Sequence, residues 1–213
     1  MSHPVVLFDL DGTVIDSTAL IRESHRHAVS TVLGQDLPDE VLVANVGVPL
    51  LQQMKAFDPD RAEELLAVYQ EWNHRMTPEL LAEYEGMPEL LEDLRAAGRR
   101  LGIVTSKSGP VVELAWDVLP LSHHFEVVVS SETTDRHKPH PEPVHRALAE
   151  HGVGPHEAVM VGDSPFDLRA GKAAGADTIG VTWGFFGREA LAAEDPGIVV
   201  DTVDELRSAL GLG

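Results

Sequence analysis

Two aspartates separated by one residue directly follow a short apolar run near the amino terminus. The run Val5-Val6-Leu7-Phe8 is followed by Asp9-Leu10-Asp11-Gly12-Thr13. Four consecutive apolar residues are typical of a strand that is buried on both faces. Carboxylates at the end of such a strand are costly unless they are solvated, paired or bound to a metal, and Gly12 marks a tight turn. The pattern therefore predicts a carboxylate nucleophile at Asp9, with a second carboxylate two residues further on.

A second apolar run, residues 159–162, ends in a carboxylate in the same way. Ser164 is suited to cap a helix that begins at the next residue, and Asp167 then takes the place of the acidic residue of a capping box. Asp163 lies before the cap and has no such structural explanation. Because Mg²⁺ prefers carboxylate oxygens, Asp9 and Asp163 could share one ion between two strand ends.

Two further segments offer groups that could hold a phosphate. Thr105 and Ser106 follow an apolar run, and a hydroxyl with free N–H groups beyond a strand end can bind a phosphate oxygen, although it can equally belong to an ordinary turn. Lys138 lies in a loop with prolines at 139, 141 and 143, which we expect to be stiff and extended. Such a loop could fix one cation beside a phosphate or could simply connect two elements. Lys107, taken alone, is more typical of a surface lysine.

An alternation of strands and helices must position these groups. Apolar runs typical of strands at 101–105, 125–129, 158–162, 178–182 and 198–200 alternate with helical patterns at 88–97, 111–118, 143–150, 166–174 and 203–210. Several of the helical patterns stop at a glycine. Such alternation predicts a parallel sheet that is covered on both faces, and ligands bind at the carboxyl ends of the strands in folds of this kind.

A long helical stretch separates the first strand from the others. It contains a pattern that ends at Gly34, two short helices at 39–44 and 50–57, and a longer amphipathic helix at 61–76. The simplest arrangement is an α/β fold with a Rossmann-like parallel sheet core, formed by residues 1–16 and 83–213. An α-helical cap domain is then inserted at residues 17–82.

The composition restricts the classes of partner. The net charge is −19, and a chain of this charge repels nucleic acid and anionic membrane surfaces. No apolar run approaches the roughly 18 residues of a membrane span, no leader pattern precedes the first strand, and there is no cysteine for disulfide or thiolate chemistry. We expect a cytoplasmic protein that binds neither nucleic acid nor membranes. The sequence does not determine the oligomeric state.

Together the four segments, in this order and spacing, resemble the signature motifs of the haloacid dehalogenase-like phosphohydrolases. These motifs are residues 9–13, residues 104–107, Lys138 with its loop, and residues 162–167. The helical insertion after the first motif and the segments 173–176, 180–184 and 187–189 are similar to members of the phosphoglycolate phosphatase branch. The resemblance covers nearly the whole chain.

The resemblance implies a role for each residue of the first two motifs. Asp9 forms an aspartyl-phosphate. Asp11 first protonates the leaving oxygen and then activates water, while its backbone carbonyl also reaches Mg²⁺. Thr105 binds the transferring phosphoryl group, helped by N–H groups around Gly12 and Ser106.

The resemblance also implies roles for the last two motifs. Lys138 neutralises charge on the nucleophile and binds the phosphate. Asp163 is a ligand of Mg²⁺ together with Asp9 and Asp11, and Asp167 supports the ion from behind its direct ligands. The implied cofactor is Mg²⁺, and the implied partner is a small-molecule phosphate.

The aspartate at position 11 indicates the class of reaction. In the family that this chain resembles, phosphatases and phosphomutases carry aspartate there, whereas dehalogenases and ATP-driven pumps do not. We expect a Mg²⁺-dependent phosphatase of small-molecule phosphate monoesters, similar to phosphoglycolate phosphatase. A β-phosphoglucomutase-like mutase and an inorganic pyrophosphatase are alternatives, although residues 45–50 are less similar to the cap of sugar phosphomutases. A binding module without turnover would not need Asp11.

Four polar residues of the helical stretch could face the site and select the leaving group, although each is also compatible with a solvated helix surface. They are Arg22, His25, Asn45 and Lys55. The paired histidines at 123–124 and at 137 and 140 lack a carboxylate or cysteine at matching spacing, so we do not expect a zinc site. We interpret Trp183 and the two phenylalanines that follow it as packing residues.

Overall fold

The computed structural model describes residues 3–212 and has a parallel sheet at its centre. The strands of this part of the chain are β1 (Val5–Phe8), β2 (Ile15–Asp16), β3 (Ala82–Glu83), β4 (Arg100–Val104), β5 (Val127–Val129), β6 (Ala158–Gly162), β7 (Asp177–Val181) and β8 (Ile198–Val200). Six of them form the main sheet in the order β5-β4-β1-β6-β7-β8, with parallel pairing throughout. Strand β1 is central and pairs with both β4 and β6.

The helices are α1 (Thr18–Leu33), α2 (Asp39–Val43), α3 (Leu50–Phe57), α4 (Ala62–Leu80), α5 (Met87–Ala96), α6 (Gly109–Val118), α7 (Glu142–His151), α8 (Pro165–Ala174), α9 (Arg188–Ala192) and α10 (Val203–Ala209). Side chains alternate along β1, as the geometry of a strand requires. Val6 and Phe8 pack with residues of α5, α6 and α10, whereas Val5 and Leu7 pack with residues of α7 and α8. The sheet is therefore covered on both faces, which confirms the predicted α/β, Rossmann-like class.

Helices α1 to α4 form a helical segment with a hydrophobic cluster of its own. Residues such as Val29, Met54 and Leu65 are buried within it, because α1 and α4 pack side by side and α3 packs against α4. The chain enters and leaves this segment through β2 and β3, which pair antiparallel with Ile15 opposite Glu83. This two-stranded ladder joins the two chain segments that connect the sheet with the helical segment.

The structure departs from the predicted elements in a few places. Helix α4 continues to Leu80 rather than ending at residue 76, and β2, β3 and α9 were not predicted. The loop that contains Lys138 is bent rather than extended, because the N–H of His140 donates to the carbonyl of His137 at 2.8 Å. Between residues 3 and 212 we find no helix with the length and apolar character needed to cross a membrane.

Candidate active site

The carboxyl ends of three neighbouring strands bring the predicted site residues together. Asp9 follows β1, Thr105 follows β4 and Asp163 follows β6. Parallel strands present their carboxyl ends at one edge of the sheet, so these residues meet although they are far apart in the sequence. All three side chains are buried.

Lys138 is a buried cation between two carboxylates. Its Nζ lies 2.9 Å from Oδ1 of Asp9 and 2.6 Å from Oδ1 of Asp167, and it donates to the carbonyl of Val104 at 3.1 Å. An ammonium group has three N–H donors, so these contacts use all of them. The bent loop thus fixes the ammonium beside the predicted nucleophile.

Asp167 has the capping-box geometry that the sequence predicts. Its Oδ2 accepts hydrogen bonds from the N–H and the hydroxyl of Ser164 at 3.1 and 2.5 Å, and its own N–H donates to the Ser164 hydroxyl at 3.3 Å. Since Oδ1 is bound by Lys138, both carboxylate oxygens have partners. Asp167 therefore links the start of α8 to the buried lysine.

Asp163 is held from two directions. The hydroxyl of Thr13 donates to its Oδ1 at 3.1 Å, and the backbone N–H of Phe185 donates to its Oδ2 at 2.7 Å. A Cβ at Gly12 or at Gly184 would overlap the Asp163 carboxylate, and Gly12 also has a φ of +76°. The loop around residue 184 is thus part of the site. The sequence pattern indicates only a packing role for Phe185, because its contact with Asp163 uses the backbone N–H.

The backbone amides near the first motif differ from the expectation. The N–H of Gly12 donates to the carbonyl of Ile15 at 3.0 Å, so it is not available to a phosphate oxygen, and the predicted binding role of Gly12 is replaced by close packing on Asp163. Within residues 3–212, by contrast, the N–H groups of Leu10 and Asp11 donate no hydrogen bond.

Thr105 and Ser106 carry the hydroxyls that follow β4. The Thr105 hydroxyl oxygen accepts a hydrogen bond from the N–H of Lys107 at 3.1 Å, and its own proton is free to be donated. The Ser106 hydroxyl donates to the carbonyl of Gly47 at 2.6 Å, so it binds the helical segment. In the part of the chain that the structure describes, the N–H of Ser106 has no acceptor, and it can serve an anion.

Lys107 is not the surface residue that its sequence context indicated. Its Nζ lies 3.0 Å from Oδ1 of Asp11, and the two side chains are only 11% and 15% exposed. This ion pair joins the loop after β1 to the loop after β4. Lys107 is therefore a site residue that the sequence analysis did not assign, because its neighbourhood depends on how the two strands pair.

The pKa shifts reflect carboxylates crowded around one ammonium. Burial raises the pKa of Asp9 to about 7, and Asp167 adds to the rise while Lys138 opposes it. Burial, together with Asp167 and Asp9, raises the pKa of Asp163 well above its ordinary range. Burial alone would lower the pKa of Lys138, but the carboxylates of Asp167 and Asp9 raise it above its usual value.

The donor set of this cluster fits a divalent cation. Oxygen atoms of Asp9, Asp163 and Asp167 all lie within 4.8 Å of one another, and among the described residues Lys138 is the one cation in contact with them. With all groups ionised the cluster has two negative charges in excess, and oxygen donors alone favour a hard cation such as Mg²⁺. Asp167 accepts three hydrogen bonds, one on Oδ1 and two on Oδ2, whereas each Asp163 oxygen accepts only one and Lys138 contacts only Oδ1 of Asp9. Because each carboxylate oxygen has two lone pairs, Asp9 and Asp163 are the carboxylates with more capacity for an ion.

A cavity of about 260 Å³ lies between this edge of the sheet and the helical segment. Asp9, Asp11 and Thr105 line it on the sheet side, and Tyr69 and Asn73 of α4 line it on the helical side. Three of the four predicted catalytic residues and a wall of the helical segment therefore enclose one space, and the fourth, Lys138, contacts Asp9 at its floor.

Four polar residues that could have faced this space, although each was also compatible with a solvated helix surface, do not line it, namely Arg22, His25, Asn45 and Lys55. Arg22 forms ion pairs with nearby carboxylates, and Lys55 is exposed. His25 is fully buried, with its ring 5.6 Å from that of Phe57 and 4.9 Å from that of Tyr69. Helical periodicity alone cannot tell which polar side of a helix turns toward a cavity.

Sequence comparisons place these features in a known family. The model of the haloacid dehalogenase-like hydrolases matches residues 6–181. The pyrophosphatase PpaX of Anoxybacillus flavithermus is 37% identical over 212 residues, which cover 100% of this chain and 99% of that protein. The pyrophosphatase PpaX of Bacillus pumilus is 37% identical over 206 residues, with 97% and 95% covered.

Solved structures share the fold over almost the whole chain. A predicted phosphatase from Clostridium acetobutylicum superposes with a TM-score of 0.88 at 25% identity, covering 99% of both chains. CbbY from Rhodobacter sphaeroides, solved in complex with phosphate, gives 0.81 at 25% identity and 96% of both chains. A predicted phosphoglycolate phosphatase from Haemophilus somnus gives 0.89 at 22% identity, covering 98% of this chain and 99% of the other, which shows similarity of fold alone.

Proposed function

The chain belongs to the haloacid dehalogenase-like hydrolase family and is an enzyme of its phosphatase type, and from that premise we propose that it is a Mg²⁺-dependent phosphatase of small-molecule phosphate monoesters. The proposal includes a covalent aspartyl-phosphate on Asp9. The observation that carries it is the contact of the Asp9 carboxylate with the buried ammonium of Lys138 at 2.9 Å, on the floor of a cavity that Asp11 also lines.

In the first half of the reaction, Asp9 acts as the nucleophile. Lys138 binds Oδ1, so Oδ2 attacks the phosphorus atom while the bond between phosphorus and the leaving oxygen breaks. Asp11 gives its proton to that oxygen, which leaves as an alcohol. The hydroxyl of Thr105 and the N–H groups of Leu10, Asp11 and Ser106 bind the oxygens of the transferring group.

In the second half, water displaces the enzyme from the phosphoryl group. Asp11, now a carboxylate, takes a proton from the water that attacks phosphorus, and the bond between Asp9 and phosphorus breaks. Inorganic phosphate is released. Both halves thus use the same two aspartates. Asp11 is protonated at the start of the first half and ionised at the start of the second.

The carboxylates of Asp9 and Asp163, with the backbone carbonyl of Asp11, would hold the proposed cofactor. A bound Mg²⁺ would supply positive charge against the attacking carboxylate and the phosphoryl oxygens. Asp167 does not touch the ion in this proposal. It positions Lys138, which remains beside Asp9 throughout.

We also propose that residues 17–82 act as a cap domain. The segment covers the cavity, and Ser106 holds it against the sheet through the carbonyl of Gly47. A closed cap keeps bulk water from the aspartyl-phosphate, while an open one admits the substrate. We further propose that the protein is located in the cytoplasm.

Two other functions are alternatives, and the comparisons favour one of them. The curated relatives are named pyrophosphatases, which favours pyrophosphate as a second candidate substrate. A β-phosphoglucomutase-like mutase would use the same aspartates but would return the phosphoryl group to a sugar. The two alternatives differ from the main proposal in the product that is released.

Release of phosphate from p-nitrophenyl phosphate, measured with Mg²⁺ and with EDTA, tests the proposal. We expect release that requires the metal and that falls by at least about 10³-fold in Asp9→Asn, since removal of a nucleophile is among the most damaging changes to an enzyme. Asp117→Asn, at an exposed carboxylate on α6, is the matched control and should keep wild-type activity. Full activity of Asp9→Asn would overturn the mechanism. In a parallel assay with a hexose phosphate as substrate, isomerisation without release of free phosphate would indicate the mutase.

A further inference from the structure

We propose that the leaving group of the natural substrate is an uncharged, partly apolar alcohol, and neither a second phosphate nor a group that carries a carboxylate. This inference rests on the proposed function, which puts the phosphoryl group at Asp9. The leaving group then occupies the rest of the cavity, against the helical segment, and the side chains there determine its chemistry.

Fixed positive charge is missing from the helical side of the cavity. Among residues 3–212, no lysine or arginine of the helical segment lines it. The lysine that lines the sheet side, Lys107, lies 3.0 Å from Asp11, so its ammonium is at the floor of the cavity and not at the helical side. Lys138 below the floor is balanced by Asp9 and Asp167. An anionic leaving group would therefore find no counter-charge on the helical side, in a chain with a net charge of −19.

Most of the helical side is apolar. Ile21, Val46, Val48 and Leu66 line the cavity there, and Val111 faces it from α6. An apolar wall excludes water and binds hydrocarbon surface. The free energy of desolvating a carboxylate or phosphate against such a wall is unfavourable unless a cation compensates it. The wall therefore favours a leaving group with an apolar face.

The side-chain amides on this side carry no charge. The Asn73 side chain donates through Nδ2 to the Ser24 hydroxyl at 2.9 Å, which leaves Oδ1 free. The Gln53 side chain donates through Nε2 to the carbonyl of Val48 at 2.7 Å, and its Oε1 is fully enclosed, so that oxygen is not a contact for a ligand. The carbonyl oxygen of Asn73 accepts hydrogen bonds from hydroxyl groups and repels carboxylate or phosphate oxygens, and neither amide supplies the charge that would compensate an anion.

Two weaker sources of positive potential remain on this side. The amino end of α3, at Leu50, lines the cavity, but a helix end carries only about half an elementary charge even when the helix is long. His74 lines it too and is exposed to solvent. Neither equals a buried lysine or arginine as a partner for a full negative charge.

Matched pairs of substrates test the inference. We would measure kcat/KM with Mg²⁺ for glycerol 3-phosphate against 3-phosphoglycerate, and for phenyl phosphate against 4-carboxyphenyl phosphate, together with pyrophosphate. We expect the uncharged member of each pair to be favoured at least about 10-fold, as for the loss of about 1.4 kcal/mol in transition-state binding. Equal or greater kcat/KM for the carboxylates or for pyrophosphate would overturn the inference while leaving the phosphatase proposal intact. No hydrolysis of any ester, p-nitrophenyl phosphate included, would overturn both.

A charge placed on the wall gives a second test. Gln70 lines the cavity and is exposed, so Gln70→Lys should fold and should bring a cation to the leaving group. We expect the ratio of kcat/KM for 3-phosphoglycerate to that for glycerol 3-phosphate to rise about 10-fold. Gln52→Lys adds the same charge at an exposed residue of α3 outside the cavity and should leave the ratio unchanged. A ratio that is the same in both variants would place the leaving group away from this wall and overturn the inference.

Discussion

The ammonium of Lys107 lies 3.0 Å from Oδ1 of Asp11, and both side chains are nearly enclosed. The two residues come from the loops after β4 and β1, so the ion pair ties two neighbouring strand ends together at the floor of the cavity. Asp11 is the residue that we propose to carry the proton in both halves of the reaction. Lys107 is therefore a positioning residue, which holds that carboxylate where the leaving oxygen must arrive.

Lys107→Met should slow proton transfer without removing the binding site. General acid–base catalysis contributes about 10²- to 10⁴-fold, so we expect kcat to fall by about 10- to 100-fold, while KM changes much less. Lys107→Arg should recover part of the loss, because it restores the charge. Lys172→Met, at an exposed lysine on α8, is the control. Steady-state kinetics of the three variants would contradict the assignment if kcat were the same in all of them.

Mg²⁺ should stabilise the folded protein through the carboxylate cluster. A ligand that binds only the folded state adds about 2.7 kcal/mol to the free energy of unfolding at 100 times its Kd, so urea unfolding in Mg²⁺ should need more denaturant than in EDTA. Asp163→Asn should abolish this difference, whereas Asp117→Asn should retain it. A metal response that survives in Asp163→Asn would show that the ion binds elsewhere.

Gly184→Ala should displace the Asp163 carboxylate while leaving the aspartate itself unchanged. The added Cβ would overlap the Asp163 carboxylate, which also accepts a hydrogen bond from the N–H of Phe185. We expect loss of most phosphatase activity and of the stabilisation by Mg²⁺. Gly187→Ala is the matched control, since its Cβ would meet no atom within 4 Å. Equal activity of the two variants would remove the loop at residue 184 from the site.

The sheet could be predicted from the sequence because buried parallel strands are continuous apolar runs. The bounds of β6 and β8 agree with the predicted 158–162 and 198–200. The two-residue strands β2 and β3 are too short to show any periodicity. They pair because the chain segments that enter and leave the helical segment run antiparallel to each other, and no local sequence pattern predicts this.

The meeting of Asp9, Thr105 and Asp163 was predictable because each directly follows a strand of one parallel sheet. The capping box of Asp167 was predictable because its geometry is local. The hydrogen bond from Phe185 to Asp163 was not predictable, since it uses a backbone N–H that almost any residue can supply. The cavity wall at Tyr69 and Asn73 depends on how α4 packs, and the periodicity of a helix does not determine that rotation.

His25 is a buried histidine that the proposed mechanism does not use. Its ring packs against those of Phe57 and Tyr69 in the helical segment. Burial lowers its pKa from 6.5 to about 4, because an imidazolium is poorly solvated there. In the unfolded chain the group takes up a proton near pH 6.5, so between about pH 6.5 and 4 the unfolded state binds more protons than the folded one.

The contribution of His25 to stability should therefore be complete above pH 6.5 and should be lost as the pH falls toward 4. One unit of pKa corresponds to about 1.4 kcal/mol, so the shift amounts to about 3 kcal/mol over this range. His25→Phe keeps an aromatic ring and removes the titration, and urea unfolding of this variant between pH 7.5 and 4.5 should decline less steeply than that of the wild type. His145→Asn, at an exposed histidine of α7, should follow the wild-type curve. Parallel curves for the wild type and His25→Phe would contradict the prediction, because the buried imidazole would then not be the group that resists protonation.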